Sequence, residues 1–185
     1  IRPSGLENIP HKGPAVVVCN HVSYMDPIIL AGSVRRPMRF VMWYKIFQMP
    51  FLNFIFRTMK AIPIAGARED KTIMDDAFEK VDAELAAGNI VCIFPEGAIT
   101  RDGEIARFRP GIEKIIARRP VPVIPASLGR LWGGWLSRHR DGSMRLMPKR
   151  LFARVTVRFG EPVPATEVTA ARLELLVRTL RSDER

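Results

Sequence analysis

Ile90-Val91-Cys92-Ile93-Phe94-Pro95-Glu96-Gly97 (IVCIFPEG) sets five apolar residues in a row against a turn that carries a carboxylate and a glycine. A strand whose neighbouring positions are all apolar must be covered on both faces, as in a parallel sheet flanked by helices. The residues before it agree. Ile73, Ala77, Phe78, Val81 and Leu85 recur at helical spacing, with Glu79, Lys80, Asp82 and Glu84 between them and Gly88 to end the helix.

The same pattern continues outward. Ala15-Val16-Val17-Val18-Cys19 is a β-branched run that reads as another buried strand. Asp26-Pro27 reads as a helix start, with Asp26 as the cap and Pro27 at the first helical position, running to about Ala31 and closed by Gly32. Further strands are expected at 39–42, 61–64 and 121–126. The two prolines of the last point to an edge strand or irregular ends. Residues 154–159 alternate as a strand, 111–118 and 170–180 read as helices, and 132–149 as a basic loop. Strands alternating with helices define an α/β class with a mainly parallel central sheet, expected as a single domain over residues 1–185. The chain opens on Ile1 rather than methionine, which fits either a trimmed chain or one domain of a longer multidomain polypeptide.

Charge is unevenly placed. Residues 101–158 hold 14 Lys and Arg against four Asp and Glu, which accounts for the whole net charge of +10. Such a surface favours anionic partners. Cys19 and Cys92 sit inside apolar runs and read as buried, reduced thiols of a cytosolic compartment. With two cysteines and three scattered histidines no zinc spacing can be built, so no metal is expected. There is no run of 18 apolar residues, no Gly-x-Ser-x-Gly elbow and no phosphate-binding P-loop.

Two turns carry candidate chemistry. His21 follows the strand at 15–19, and Asp26 stands five residues on, where its carboxylate can face back to the imidazole. A carboxylate on one ring nitrogen sets the tautomer and frees the other nitrogen as a base. The plainer reading is a helix cap beside a turn histidine. Glu96 and Gly97 end the strand at 90–94, followed by Thr100 and Arg101, and Gly97 allows backbone N–H groups to approach an anion. Both turns are expected at the same edge of one sheet, where open α/β folds bind ligands.

Taken together, NHVSYMD at 20–26, FPEGAITRDG at 94–103 and VPVIPA at 121–126 resemble the glycerophosphate and lysophospholipid acyltransferases, in family order, with a similar general layout over 14–164. The resemblance implies transfer of an acyl group from an acyl-carrier-protein or coenzyme A thioester to a lysophospholipid hydroxyl. Lysophosphatidic acid and lysophosphatidylethanolamine are both acceptors of the implied kind. In that scheme His21 takes the hydroxyl proton, Asp26 orients His21, and no acyl-enzyme forms. Glu96 and Gly97 help to bind the glycerol phosphate, with Thr100 beside them, and a basic side chain holds the phosphate. Arg101 is the first choice for that side chain, although Ala98-Ile99 separate Thr100-Arg101 from Glu96-Gly97. Arg68, two residues later than the family pattern, competes for that phosphate-binding role, as do Arg107 and Arg109, which read first as surface charge. No cofactor is implied beyond the thioester co-substrate, and no nucleic-acid partner. The implied location is the cytoplasmic face of the inner membrane, held peripherally or by a fused membrane domain. Seven of the 17 residues at 40–56 are aromatic, which suits a lipid-facing surface, an acyl-chain channel or ordinary core. A non-catalytic basic module that binds lipid or nucleic acid and a thioester hydrolase are the alternatives.

Overall fold

The computed structural model describes residues 1–48, 50–66, 68–132 and 155–181. Seven strands form one sheet: β1 (Arg2–Ser4), β2 (Ala15–Cys19), β3 (Met38–Trp43), β4 (Ile62–Ile64), β5 (Ile90–Ile93), β6 (Val123–Gly129) and β7 (Thr156–Phe159). Their order is β1-β7-β6-β2-β5-β3-β4. The five strands from β6 to β4 are mutually parallel, β7 runs antiparallel to β6, and β1 pairs parallel with β7. The expected α/β class with a mainly parallel sheet is therefore the observed one.

Five helices cover the faces: α1 (Asp26–Ser33), α2 (Pro50–Thr58), α3 (Lys71–Ala86), α4 (Gly111–Arg118) and α5 (Ala170–Arg181). Because alternate strand residues point to opposite faces, each apolar run feeds two cores. Val17, Cys19, Phe40, Cys92 and Ile124 pack with Leu30 of α1 and Phe56 of α2. Val16, Val18, Val91 and Val123 pack with Val81 and Leu85 of α3, Ile112 of α4 and Leu173 of α5. Each fully buried Val, Leu or Ile contributes roughly 1.5–3 kcal/mol. Cys19 and Cys92 are buried free thiols, and burial raises the pKa of each first of all.

Three expectations need correction, and one strand, β1, was not expected. β6 is an interior strand, not an edge: it lies between β2 and β7. Pro125 fits there because its missing N–H falls on the side where β7 has ended, and only its carbonyl is used, by Gly160 N–H at 2.8 Å. β1 had no signature, since its three residues are polar or exposed and are held only by pairing to β7. α1 runs through Gly32 to Ser33, whose hydroxyl donates to Ile29 O at 2.6 Å. Asp26 is its first residue rather than its cap, and its carboxylate turns back to the N–H groups of Val22 and Ser23 instead. Of the basic loop expected over 132–149, residues 133–149 lie outside the described residues, as does Arg154.

The aromatic segment breaks into a short 3-10 helix (Tyr44–Gln48) and α2. Phe40 and Phe56 are core, while Trp43 is 44% exposed and Phe54 76%.

Candidate active site

β2 and β5 are adjacent parallel strands from which the chain passes to opposite faces of the sheet, from β2 to α1 in one core and from β5 to α4 in the other. Such a divergence opens a crevice at the carboxyl ends of the strands, where open α/β sheets bind ligands. His21 follows β2 into that crevice and Glu96 follows β5.

His21 Nδ1 lies 2.7 Å from Asp26 Oδ2, and the same oxygen accepts the N–H groups of Val22 at 2.7 Å and Ser23 at 3.0 Å. Asp26 is wholly buried, and its other oxygen, Oδ1, has no hydrogen-bond partner. A carboxylate gripped in this way cannot swing, so it holds the ring by Nδ1 and leaves Nε2 for the crevice. The imidazole is stacked on Phe94, the last residue of the IVCIF run, at 4.2 Å between ring centroids and 19° between planes. Only 18% of the His21 side chain is exposed.

The turn after β5 braces this pair. Glu96 is buried, and its two oxygens accept the backbone N–H groups of His21 and Ala106, both at 2.7 Å. Burial pushes its pKa up, and the two amide bonds offset part of the rise. Thr100 N–H donates to His21 O at 2.9 Å, so His21 is held at both its N–H and its C=O. The Thr100 hydroxyl bonds Asp102 and the Gly103 N–H inside its own loop. Asn20, also buried, fixes the end of β2 to β6 by exchanging hydrogen bonds with Leu128 N–H and C=O, at 2.8 and 3.1 Å.

A cavity of about 500 Å³ opens beside His21. That size suits a small-molecule or acyl-chain ligand, for which sites of roughly 300–1,000 Å³ are usual. Its walls are apolar between the sheet and the helices, with Val41, Ile64, Ile93, Phe78, Val81 and Ile112 among them. His21, Tyr24, Gly97, Arg109 and Glu69 add polar groups to its lining. Gly97 takes φ +70°, and a Cβ built on it would stand 2.6 Å from the Arg109 guanidinium carbon. The positive φ favours glycine there, and its missing side chain leaves room for the guanidinium to approach. Arg109 N–H in turn donates to Pro95 O at 2.9 Å, which ties the start of α4 to the β5 turn.

At the rim, Glu69 accepts from Trp43 Nε1 at 3.1 Å, Tyr44 OH at 3.3 Å and Lys45 Nζ at 2.9 Å. The Lys45 ammonium sits 5.0 Å over the Trp43 ring and 5.6 Å over the Tyr44 ring. Hydrogen bonds from Lys45 and then Trp43 lower the Glu69 pKa, and Glu69 raises that of Lys45.

The structure brings His21, Asp26, Glu96, Gly97 and Thr100 together, but it uses them unequally. Gly97 faces the cavity, whereas Glu96 and Thr100 spend their hydrogen bonds on the scaffold. Arg101 and Arg68 are exposed and outside the cavity lining, as is Arg107. Arg109 is the arginine that lines it. Its position at the opening of α4, beside the sheet's carboxyl edge, was the available signal. Among the described residues no group of three or more His, Cys, Asp and Glu side chains could hold a metal ion.

The α/β crevice holds a carboxylate-bound histidine beside an apolar-walled cavity, and the chain belongs to the acyltransferase family, whose model matches residues 1–129. A chloroplastic 1-acyl-sn-glycerol-3-phosphate acyltransferase of Arabidopsis thaliana is 32% identical over 129 residues, 69% of this chain and 35% of that protein. The 1-acyl-sn-glycerol-3-phosphate acyltransferase of Borreliella burgdorferi is 30% identical over 132 residues, 68% of this chain and 49% of that protein. The chain thus spans about a third to a half of the length of these relatives. The crystal structure of the 1-acyl-sn-glycerophosphate (LPA) acyltransferase PlsC from Thermotoga maritima shares the fold, with a TM-score of 0.77 at 23% identity over 96% of this chain and 69% of that one.

Proposed function

We propose that this chain transfers an acyl group from a thioester to the free hydroxyl of a lysophospholipid. The carrying observation is the His21–Asp26 pair, braced on both sides of the His21 backbone, with His21 lining a largely apolar cavity. His21 Nε2 takes the proton of the acceptor hydroxyl as its oxygen attacks the thioester carbonyl carbon. The tetrahedral intermediate collapses, the C–S bond breaks, and the leaving sulfur takes the proton from His21 to depart as the free thiol. Asp26 stabilises the imidazolium between the two transfers. General-base help of this kind contributes roughly 10²–10⁴-fold.

Arg109, rather than Arg101 or Arg68, is our choice for the acceptor phosphate: it is cationic, lies against the Gly97 turn and faces the cavity. The apolar walls suit an acyl chain. Acyl-carrier protein or coenzyme A carries the donor, and the basic surface suits either anionic partner. Exposed Trp43 and Phe54, with Lys45 and Arg57 on the same segment, suit peripheral contact with a membrane, which would deliver the acceptor. Lysophosphatidic acid is the acceptor suggested by the names of the relatives; lysophosphatidylethanolamine adds an ammonium, and Glu69, which already holds one from Lys45, is the carboxylate it would meet.

The test is a panel of lysophospholipids with labelled acyl-carrier-protein and coenzyme A thioesters, run with wild type and His21→Ala. Phospholipid product from wild type, reduced at least about 100-fold in the variant, is expected. Free fatty acid as the main wild-type product would make the chain a hydrolase. Near-normal transfer by His21→Ala would refute the assigned base.

A further inference from the structure

Helix α5 lies beyond residue 129, where the match to the family ends, and its buried side holds Leu173 and Val177 in the core. Beside them, three charged residues at helical spacing, Glu174, Arg178 and Arg181, reach one loop. The Phe108 N–H donates to Glu174 Oε2 at 3.0 Å, while Arg178 donates to Ile105 O and Arg181 to Gly103 O. Glu174 Oε1 accepts from Arg178 Nε at 3.0 Å, which sets the arginine's direction. Three backbone groups within six residues are thus held by one face of one helix, by bonds that each involve a charged partner and are stronger than neutral ones.

That loop is the one on which the site depends. Its Ala106 N–H is one of the two amides gripping Glu96, the other being that of His21, and Arg109 follows directly after Phe108. Ile105 and Phe108 are buried under it, so the loop cannot shift without moving core.

We propose that Glu174, Arg178 and Arg181 are positioning residues of the active site, a clasp on α5 that sets the 103–108 loop and, through it, Glu96, the His21 backbone and Arg109. Helix packing alone explains Leu173 and Val177, but it does not require three charged side chains to end on the backbone of this one loop. Arg181 also acts on Glu96 at a distance: burial raises the Glu96 pKa, and the Arg181 charge is among the effects that lower it. The proposal rests on the acyl-transfer reading for its kinetic test and stands apart from it for its structural one.

The experiment compares wild type with Glu174→Ala, Glu174→Gln, Arg178→Met and Arg181→Met. It measures kcat and the KM for each substrate per folded molecule, with amide hydrogen exchange at Ala106 and His21. Glu174→Ala is expected to raise the KM for the lysophospholipid by about fivefold or more, leaving the thioester KM within about twofold, because the Arg109 end of the loop moves. Glu174→Gln keeps an acceptor for Phe108 N–H and is expected to restore most of that loss. Arg178→Met and Arg181→Met are expected to lower kcat by about 10-fold and to speed exchange at Ala106 by at least as much. Unchanged kinetics with a lowered Tm, or unchanged exchange at Ala106 in all four variants, would overturn the clasp and leave α5 a packing helix. If wild type transfers no acyl group to any lysophospholipid, the proposed function falls, and exchange at Ala106 and His21 decides the clasp alone.

Discussion

The three carboxylates of the site region are held in two ways. Asp26 and Glu96, which bond to His21, are buried and bound by backbone N–H groups: Val22 and Ser23 on one, His21 and Ala106 on the other. Glu69, at the rim, is exposed and bound by three side chains, Trp43, Tyr44 and Lys45. Backbone donors are fixed by the fold and cost no side-chain entropy, so the inner carboxylates are set to a single geometry. The rim donors are rotatable and screened by salt, so that cluster is easily opened. The contrast sets rigid, backbone-held carboxylates beside His21 and a side-chain-held one at the rim.

The most severe way to break the contrast is at Asp26. In Asp26→Asn the buried charge disappears and an amide N–H₂ replaces one acceptor among donors. Turnover is expected to fall about 10²–10⁴-fold, with stability lowered by about 1–3 kcal/mol, measured by single-turnover transfer and by denaturant melts. Activity within tenfold of wild type would mean that His21 needs no charged partner.

Glu96→Gln should do less to turnover and more to the pH dependence of stability. Gln leaves one of the two N–H groups facing an amide, at a cost of about 1–3 kcal/mol. Burial raises the Glu96 pKa above its unfolded value, so the folded state binds that proton more tightly. This contribution to stability is complete below the unfolded carboxylate pKa of about 4 and is lost as pH rises through the folded value. The Tm advantage of wild type over Glu96→Gln is therefore expected to be widest at low pH and to narrow above it. An advantage that widens with pH would show that the amide bonds outweigh burial.

The smallest effect is expected at the rim. Glu69→Gln should leave stability within about 0.5 kcal/mol, since the exposed ion pair contributes little. It should shift the ratio of transfer to lysophosphatidylethanolamine over lysophosphatidic acid downwards by severalfold, read in a competition assay. An unchanged ratio would remove Glu69 from head-group recognition.

Much of the frame was legible before any coordinates. The apolar runs at 15–19 and 90–94 are β2 and the core of the β5 strand, and the period of Ile73, Ala77, Val81 and Leu85 is α3. These patterns record burial, which depends on residue type and spacing alone. The His21–Asp26 contact was legible too, because five residues separate its members and the turn between them is short. β1 was not, since three polar or exposed residues carry no pattern and the strand exists only through its partner. Pro125 misled for the converse reason: proline disfavours an interior strand, but the neighbour that would have needed its N–H had already turned away.

By itself, then, the sequence determined the α/β class and the two buried strands, which rest on local periodicity, and offered the pairing of His21 with Asp26 as one of two readings of a short turn. The tertiary structure alone decided what Glu96 does and which arginine faces the cavity. Glu96 reads as a ligand-binding carboxylate in its turn, yet it accepts a backbone N–H from a residue 75 positions away. Arg101, Arg107 and Arg109 are alike as letters in one basic stretch, and only the tertiary structure brings Arg109 against Gly97, with its N–H on Pro95 O. A charged side chain's partner is set by where distant backbone comes to rest, and no spacing within its own segment records that.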